Sequence, residues 1–415
     1  MEALKLINFI ISILFFACYV YQILYIPIPL LWKEKQHKKT RLHRYAVLIA
    51  ARNEESVITH LIDSIKNQTY PAELITVFVV ADNCSDNTAS LAREHGAIVY
   101  ERFNTQQIGK GYAMDYLTQR IARDYGKNRF DGYFVFDADN LLKEDYIEEM
   151  NKTFSDGYQI VTSYRNSKNY GDNWISAGYA QWFLRESKYL NNARMLLGTS
   201  CAVSGTGFLF SREILKKNRG WKFYLLTEDI EFTVNSVING EKIGYCKTAV
   251  IYDEQPTTFK QSWNQRLRWA RGYLQVFYRY GKDLIKGIFK GNFSCFDMSM
   301  SIMPAIVLTM FSVLINTTAS VIGAVVGDDI MIAVNSILET IRNAYLMIFA
   351  LGLITLITEW KNIHTSVYKK ILYTFTFPLF MFTYVPISLT ALFAKTSWKP
   401  IKHSRSLSLR EVLGG

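Results

Sequence analysis

The sequence predicts an α/β domain with a largely parallel, Rossmann-type sheet, set between membrane-length helices. Strand-like runs at residues 46–51, 74–81, 97–100 and 133–136 alternate with helix-length amphipathic stretches, which is the rhythm of βαβ units. The run Tyr133-Phe134-Val135-Phe136 has no polar side, as a strand covered on both faces requires. Apolar segments at about residues 5–31, 299–326, 341–358 and 371–394 approach or exceed the roughly 20 residues that a helix needs to cross a bilayer.

Composition agrees with a part in lipid. Of 415 residues, 49% are hydrophobic and 14% aromatic, more than a soluble chain of this length needs. The formal charge is +11, from 47 Lys and Arg against 36 Asp and Glu, but the basic residues flank apolar segments instead of forming one stripe. That distribution fits an anionic lipid surface and an anionic small-molecule ligand, and argues against nucleic acid. Five cysteines (Cys18, Cys84, Cys201, Cys246, Cys295) form no C-x-x-C and have no histidine spacing for zinc, so they read as reduced thiols.

Residues 1–32 form an anchor. Lys33, Lys35, Lys38, Lys39, Arg41 and Arg44 follow the apolar stretch, the reverse of a signal peptide, and place that flank in the cytosol. Residues 45–255 form the α/β domain. Its first strand runs into Arg52-Asn53-Glu54-Glu55 and not G-x-G-x-x-G, which argues against nicotinamide or flavin chemistry. Residues 256–295 are expected to lie at the membrane surface, as is 173–194, because both mix Trp and aliphatic residues with Arg and Lys; ordinary amphipathic helices packed on the domain are the alternative. Residues 296–394 hold the C-terminal membrane segments. Acidic Asp328, Asp329 and Glu339 put one loop outside, and basic Lys361, Lys369 and Lys370 bring the chain back. Pro378 and Pro386 allow the last segment to be broken or re-entrant, and the basic tail, residues 395–415, is expected on the cytosolic side. The catalytic part of a multi-pass protein of the cell membrane would then face the cytosol.

Candidate site residues fall at the ends of these elements. Asp137-Ala138-Asp139 sits at the C-terminal tip of a buried strand, where ligands of open α/β sheets gather. Residues two apart in extended chain point the same way, so both carboxylates can face one divalent cation carrying a diphosphate. Asp82 ends another strand, whereas Ser85, Asp86 and Thr88 can simply cap the next helix. Gly109-Lys110-Gly111 opens a helix, where a lysine and bare N–H groups favour phosphate. Gly205 and Thr206, in Ser204-Gly205-Thr206-Gly207, precede a strand, so this is no P-loop; it permits close approach of a ligand or a tight turn. Glu228-Asp229 supplies a general base for an acceptor hydroxyl, or the acidic first turn of a helix. In Gln265-Arg266-Leu267-Arg268-Trp269, positions 265, 268 and 269 share a helix face, offering an amide, a cation for a diphosphate and an indole for a sugar ring.

In this order the motifs D, D-x-D, T-E-D and Q-x-x-R-W resemble those of the inverting, membrane-integrated family 2 glycosyltransferases: cellulose, chitin and hyaluronan synthases and bacterial exopolysaccharide synthases. The resemblance spans nearly the whole chain and implies a GT-A catalytic domain between transmembrane helices, with Mg2+ or Mn2+ as cofactor. It implies that Asp82 holds uracil, Lys110 the nucleotide, and Asp137 and Asp139 nucleotide and metal. Glu228 and Arg266 would bind substrate and Asp229 would be the base, while Gln265 and Arg268 would hold the diphosphate and Trp269 the acceptor's terminal sugar. Residues 398–405 are loosely similar to the Trp-and-Arg tail of hyaluronan synthases. The implied reaction transfers a hexose from a UDP-sugar to a growing β-linked polysaccharide. Its rivals are a single transfer to a lipid-linked acceptor and a non-catalytic membrane partner or nucleotide sensor. Partners would be the donor, a glycan or lipid-linked acceptor, membrane lipids, and export or accessory subunits. The chain is short and has no F-x-V-T-x-K loop, a departure that weighs against a wide secretion channel.

Overall fold

A computed structural model describes residues 2–33, 37, 40–303, 307–308, 311–312, 314–318, 330–394, 403 and 405–414. Lys35, Lys38 and Lys39, Asp328 and Asp329, part of 299–326, and 395–402 with 404 lie outside the described residues.

Eight strands form one mixed sheet: β1 (Tyr45–Ala51), β2 (Ile75–Asp82), β3 (Ile98–Arg102), β4 (Gly132–Asp137), β5 (Leu141–Leu142), β6 (Ile160–Ser167), β7 (Phe208–Ser211) and β8 (Ile243–Asp253). Their spatial order is β3-β2-β1-β4-β7-β6-β8-β5. The first four in that order are parallel, and β7 runs antiparallel to both β4 and β6. The order reverses between β1 and β4, so the C-terminal tips of β1, β2 and β4 open a crevice at that switch point. Asp82 and Asp137 are the last residues of β2 and β4.

Both faces of the central strands β1 and β4 are dry, which is why these read as apolar runs and not as alternating ones. In β1, Ala46 and Leu48 join Phe78, Val135 and Trp221 on one face, while Val47 and Ile49 join Phe134, Phe136 and Ile62 on the other. Burying a side chain of this size contributes roughly 1.5–3 kcal/mol. Helices α3 (Ile58–Lys66), α4 (Thr88–Glu94), α5 (Lys110–Tyr125) and α6 (Tyr146–Ser155) accompany the first strands. They follow α1 (Glu2–Tyr25) and α2 (Ile28–Leu31) of the N-terminal segment.

The second half adds further helices around the sheet. These are α7 (Trp174–Arg185), a π-helical turn at Glu186–Asn191, α8 (Asn192–Leu197), α9 (Arg212–Lys217), α10 (Glu228–Ile238), the 31-residue α11 (Phe259–Phe289) and α12 (Phe293–Ile302). The stretch 173–194 differs from its expected surface position: Ile175, Tyr179, Phe183 and Leu184 are buried, and α7 packs between β6 and the C-terminal helices. Its amphipathic pattern serves protein on both sides, which sequence cannot distinguish from lipid on one.

Three stretches are long and apolar enough to cross a membrane: Leu6–Leu31, Ile337–Thr358 and Val367–Phe393. The first two are the body of α1 and of α13 (Ile330–Thr358). The third is divided at Thr383 into α14 (Val367–Phe382) and α15 (Tyr384–Phe393). Lys369 Nζ donates to the Gly171 carbonyl at 2.7 Å, Phe380 packs against Gly178 of α7, and Arg271 of α11 donates to the Ala391 carbonyl at 3.1 Å. The segment thus touches the domain near its start, at its bend and near its end. Beyond it, Ser56 Oγ donates to the His403 carbonyl, the Arg405 amide donates to Glu254 at 3.0 Å, and Val412 of α16 (Leu409–Leu413) packs with Leu141 and Tyr252. The tail therefore lies on the same side as the sheet. An impermeant thiol reagent applied to intact cells should label a cysteine at 362 and one at 410 to the same extent; labelling of only one of them would separate the tail from the domain.

Candidate active site

The tips of β1, β2 and β4, the N-termini of α5 and α10, and α11 surround one cavity of about 600 Å³. Asp82, Lys110, Asp137, Asp139, Gly205, Glu228, Asp229, Gln265, Arg268 and Trp269 all line it. Ten expected residues, spread over almost 190 positions, thus share one space.

Asp82 is buried and held by Arg102, whose Nη1 donates to Oδ1 at 2.5 Å. Asp86 turns the other way: Oδ1 accepts from the Thr88 amide and hydroxyl at 3.1 and 2.6 Å, the capping role. Lys110 Nζ reaches across the cavity to Asp137 Oδ1 at 2.5 Å and the Gly205 carbonyl at 2.8 Å. Burial would lower its pKa, but Asp137 and Glu228 hold it above the ordinary lysine value. Gly111 lets α5 pass close to the 223–224 backbone, since a Cβ there would lie 2.1 Å from the Phe223 carbonyl.

Asp137 is the more open carboxylate of the pair, with its side chain 37% exposed, whereas Asp139 is buried and its Oδ2 accepts from the Glu254 amide at 2.7 Å. Burial would raise the Asp139 carboxyl, but His403, Lys168 and that amide hold it below the usual range. Among the described residues no three of His, Cys, Asp and Glu converge as a protein-only metal cage. The donor set nevertheless fits Mg2+ or Mn2+ in one respect: hard cations of this kind are held by one or two carboxylates and the phosphates of a substrate. Asp137 and Asp139 each commit one oxygen within the protein and keep a second.

Glu228 and Asp229 begin α10. Burial pushes Glu228 up to about 7 against the pull of Lys110, with the Asp229 charge adding to the rise, and burial raises Asp229 as well. The helix N-terminus lies on the favourable side for both, so desolvation outweighs the dipole. Arg268 Nη1 donates to the Leu226 carbonyl at 2.7 Å, which holds the guanidinium over this pair. Gln265 brings a buried Oε1 that has no hydrogen-bond donor among the described residues. Trp269 stands edge-on to Tyr179 and Phe183, with ring centroids at 5.7 and 6.2 Å.

Two expected residues do not join this space. Arg266 is fully buried on another face of α11, where it donates to Thr383 Oγ1 at 2.6 Å and the Phe380 carbonyl at 3.2 Å and lies over the Phe380 ring at 4.3 Å. The reason is helical geometry, since position i+1 is turned about 100° from position i. Thr206 is also buried; its hydroxyl accepts from the Asp137 amide at 2.9 Å and donates to Asn140, so it positions the strand tip. Gly205 has φ +73° and faces the cavity, where a Cβ would lie 3.8 Å from both Asp229 Oδ2 and Arg165 Nη1.

The cavity residues Glu54, Arg165, Glu186, Asp253 and Tyr273 carry no motif in the sequence, and His403 belongs to the loosely matched tail 398–405. Asp253 and Arg165 had a signal. Asp253 ends an apolar strand just as Asp137 does, and a charge within β6 implies a buried partner, here Asp253 Oδ2 at 2.7 Å from Arg165 Nε. His403 had only the loose likeness of residues 398–405, which does not foretell its contact with Glu54, at 2.9 Å, between the tail and the loop after β1.

A family model described as glycosyltransferase like family 2 matches residues 43–272, more than half of the chain. A β-monoglucosyldiacylglycerol synthase of Trichormus variabilis is 27% identical over 271 residues, covering 63% of this chain and 56% of that protein. A poly-β-1,6-N-acetyl-D-glucosamine synthase of Staphylococcus epidermidis is 24% identical over 234 residues, covering 56% of this chain and 55% of that one. The chain thus spans a little over half the length of these curated relatives. Among solved structures, the mannosyltransferase PcManGT of Pyrobaculum calidifontis, in complex with GDP-Man and Mn2+, superposes with a TM-score of 0.58 at 16% identity over 92% of this chain and 98% of that one. That likeness shows a shared GT-A fold.

Two expectations follow from the site's electrostatics. A carboxyl raised in the folded state binds more protons there than in the unfolded chain, so stability falls as pH rises between about 4.5 and 7. Glu228→Gln should make the thermal midpoint less pH-dependent in that window and raise it at pH 8; an unchanged profile would show that Glu228 stays ionised throughout. Arg266→Ala should cost on the order of 2 kcal/mol of stability in detergent, the scale of a lost charged hydrogen bond, without changing nucleotide affinity measured by calorimetry.

Proposed function

The chain belongs to the family 2 glycosyltransferases, and from that membership we propose that it transfers a hexose from a UDP-sugar, with inversion, to a hydroxyl of a lipid-linked acceptor that enters from the bilayer. The observation that carries this is the continuity of the cavity. From the carboxylates it extends to an apolar wall made by Phe15 of α1, Ile302 of α12, Ala344 and Ile348 of α13, and Met381 and Val385 of the divided segment. An acyl or polyprenyl chain matches such a wall, whereas a polar glycan would leave it unmatched. The basic flank of the first anchor supports a catalytic domain facing the cytosol.

In this reading Asp82, fixed by Arg102, accepts a uracil N–H. Asp137 and Asp139 would hold Mg2+ or Mn2+, which when bound would neutralise charge on the diphosphate. Asp229 takes the proton from the acceptor hydroxyl, whose oxygen forms a bond to the anomeric carbon. The bond from that carbon to the β-phosphate oxygen breaks, and the electron pair leaves with UDP. A single displacement on the opposite face inverts the centre. The raised Asp229 carboxyl suits a base, because a more basic carboxylate takes a proton more readily. Arg268, Lys110 and the Gln265 amide meet the charge on the leaving group. Trp269 offers the flat surface on which an acceptor sugar can rest.

The test is UDP release and product extraction with purified protein in lipid nanodiscs, supplied with UDP-glucose or UDP-N-acetylglucosamine. A single sugar added to a solvent-extractable lipid is expected. Water-soluble products longer than one added sugar would favour the polysaccharide reading, which the N-acetylglucosamine polymer synthase keeps open. Asp229→Asn should lower transfer by roughly 10² to 10⁴-fold, with UDP-sugar affinity retained. Normal transfer with impaired nucleotide binding would move the base elsewhere.

A further inference from the structure

Glu186 belongs to none of the motifs, yet it lines the cavity together with Asp229. It begins the π-helical turn Glu186–Asn191, a wide turn of a kind that often marks functional sites. That turn is pinned on both sides. Ser187 Oγ accepts from the Arg165 amide at 3.1 Å, and Asn191 Nδ2 donates to the Ala202 carbonyl at 3.1 Å. One residue earlier, Arg185 points away to Gln22 of α1 at 2.9 Å, so the turn sends the basic side chain toward the anchor and the acidic one toward the cavity.

The neighbours of Glu186 leave its carboxyl with capacity to spare. Oε2 lies 3.4 Å from Ser204 Oγ, a long contact. The Arg165 guanidinium is nearby but committed: Nε to Asp253, Nη1 to the Ser204 carbonyl at 3.0 Å, and its face on the Phe183 ring at 3.6 Å. Between them Gly205 leaves an opening toward Asp229. Burial and the Asp229 charge both raise the Glu186 carboxyl, which favours the protonated form that can donate as well as accept.

We propose that Glu186 is an acceptor-binding residue: its carboxyl bonds a second hydroxyl of the acceptor, next to the one that Asp229 deprotonates, so the acceptor headgroup is a sugar with neighbouring hydroxyls. This rests on the hexosyl transfer proposed above and names the headgroup on which it acts. A site built to bond a hydroxyl discriminates strongly against an acceptor that lacks it, because the buried group is then left unpaired.

The test compares two acceptor probes in nanodiscs with UDP-glucose and UDP-N-acetylglucosamine: dodecyl β-D-glucoside, whose ring carries adjacent hydroxyls, and 1,2-dioleoylglycerol, which has a single one. The parent protein should prefer the glucoside. Glu186→Ala should raise the KM for it by about tenfold to a hundredfold, the range of a lost hydrogen bond to a charged or strongly polar group, and should abolish the preference, whereas Glu186→Gln, which keeps a donor and an acceptor, should retain most of it. Four results overturn the proposal: unchanged kinetics in the Ala variant, equal losses with both probes, loss of UDP-glucose binding in the Ala variant, or transfer by the parent to dioleoylglycerol alone. The last leaves hexosyl transfer standing. Absence of transfer to either probe and of UDP release by the parent overturns the transferase reading and this proposal with it.

Discussion

Acidic groups crowd the crevice at the sheet's switch point, and the fold depends on balancing them where water is scarce. Two charges 4 Å apart interact by about 1 kcal/mol in water and several times more near a protein interior. Each balancing cation arrives from a different element: Lys110 from the start of α5, Arg165 from β6, Arg268 from α11 and His403 from the tail. Asp229 sits among them with a raised carboxyl, and Asp139 with a lowered one. Two carboxyl groups of one cavity, pushed apart by their surroundings, are thereby fitted to different tasks.

Much of this was legible in the sequence, and for definite reasons. Strands buried on both faces must be apolar throughout, so β1 and β4 and the second half of β2 stand out, and ligand groups of such sheets sit at strand tips, so Asp82 and Asp137 stand out with them. Helical periodicity located Gln265, Arg268 and Trp269 on one face of α11. The same rule excludes Arg266, whose inclusion followed the motif and not the geometry. What stayed illegible depends on contacts between distant segments. Nothing in Tyr164 or Glu359 foretells that they hydrogen-bond where α13 meets the sheet, nor does Glu186 announce the π-helical turn that aims it.

The membrane junction follows one pattern. Arg194 forms a buried pair with Asp297, which also accepts from Tyr21 and Tyr25 of α1. Glu359 is met by Lys188 at 3.2 Å, and Arg266 clasps the bend at Thr383. Apolar helices in lipid gain little from burial against one another, so polar contacts fix their position. Breaking a buried pair leaves an uncompensated charge, which makes these links strict about partner and register. The catalytic layer and the apolar helices thus share defined anchor points, and the cavity that runs between them keeps its shape.

The contact between Glu54 and His403 joins residues 349 positions apart. A loop of that length closes late, because non-local contacts must wait for the order that makes them possible. The loop after β1 can form with the sheet, but its histidine partner arrives only once the intervening apolar segments have settled against α7 and α11. The loop after β1, on one wall of the cavity, therefore depends on how the apolar helices on the other wall are placed, and a solvent that loosens those helices would reach Glu54 through His403.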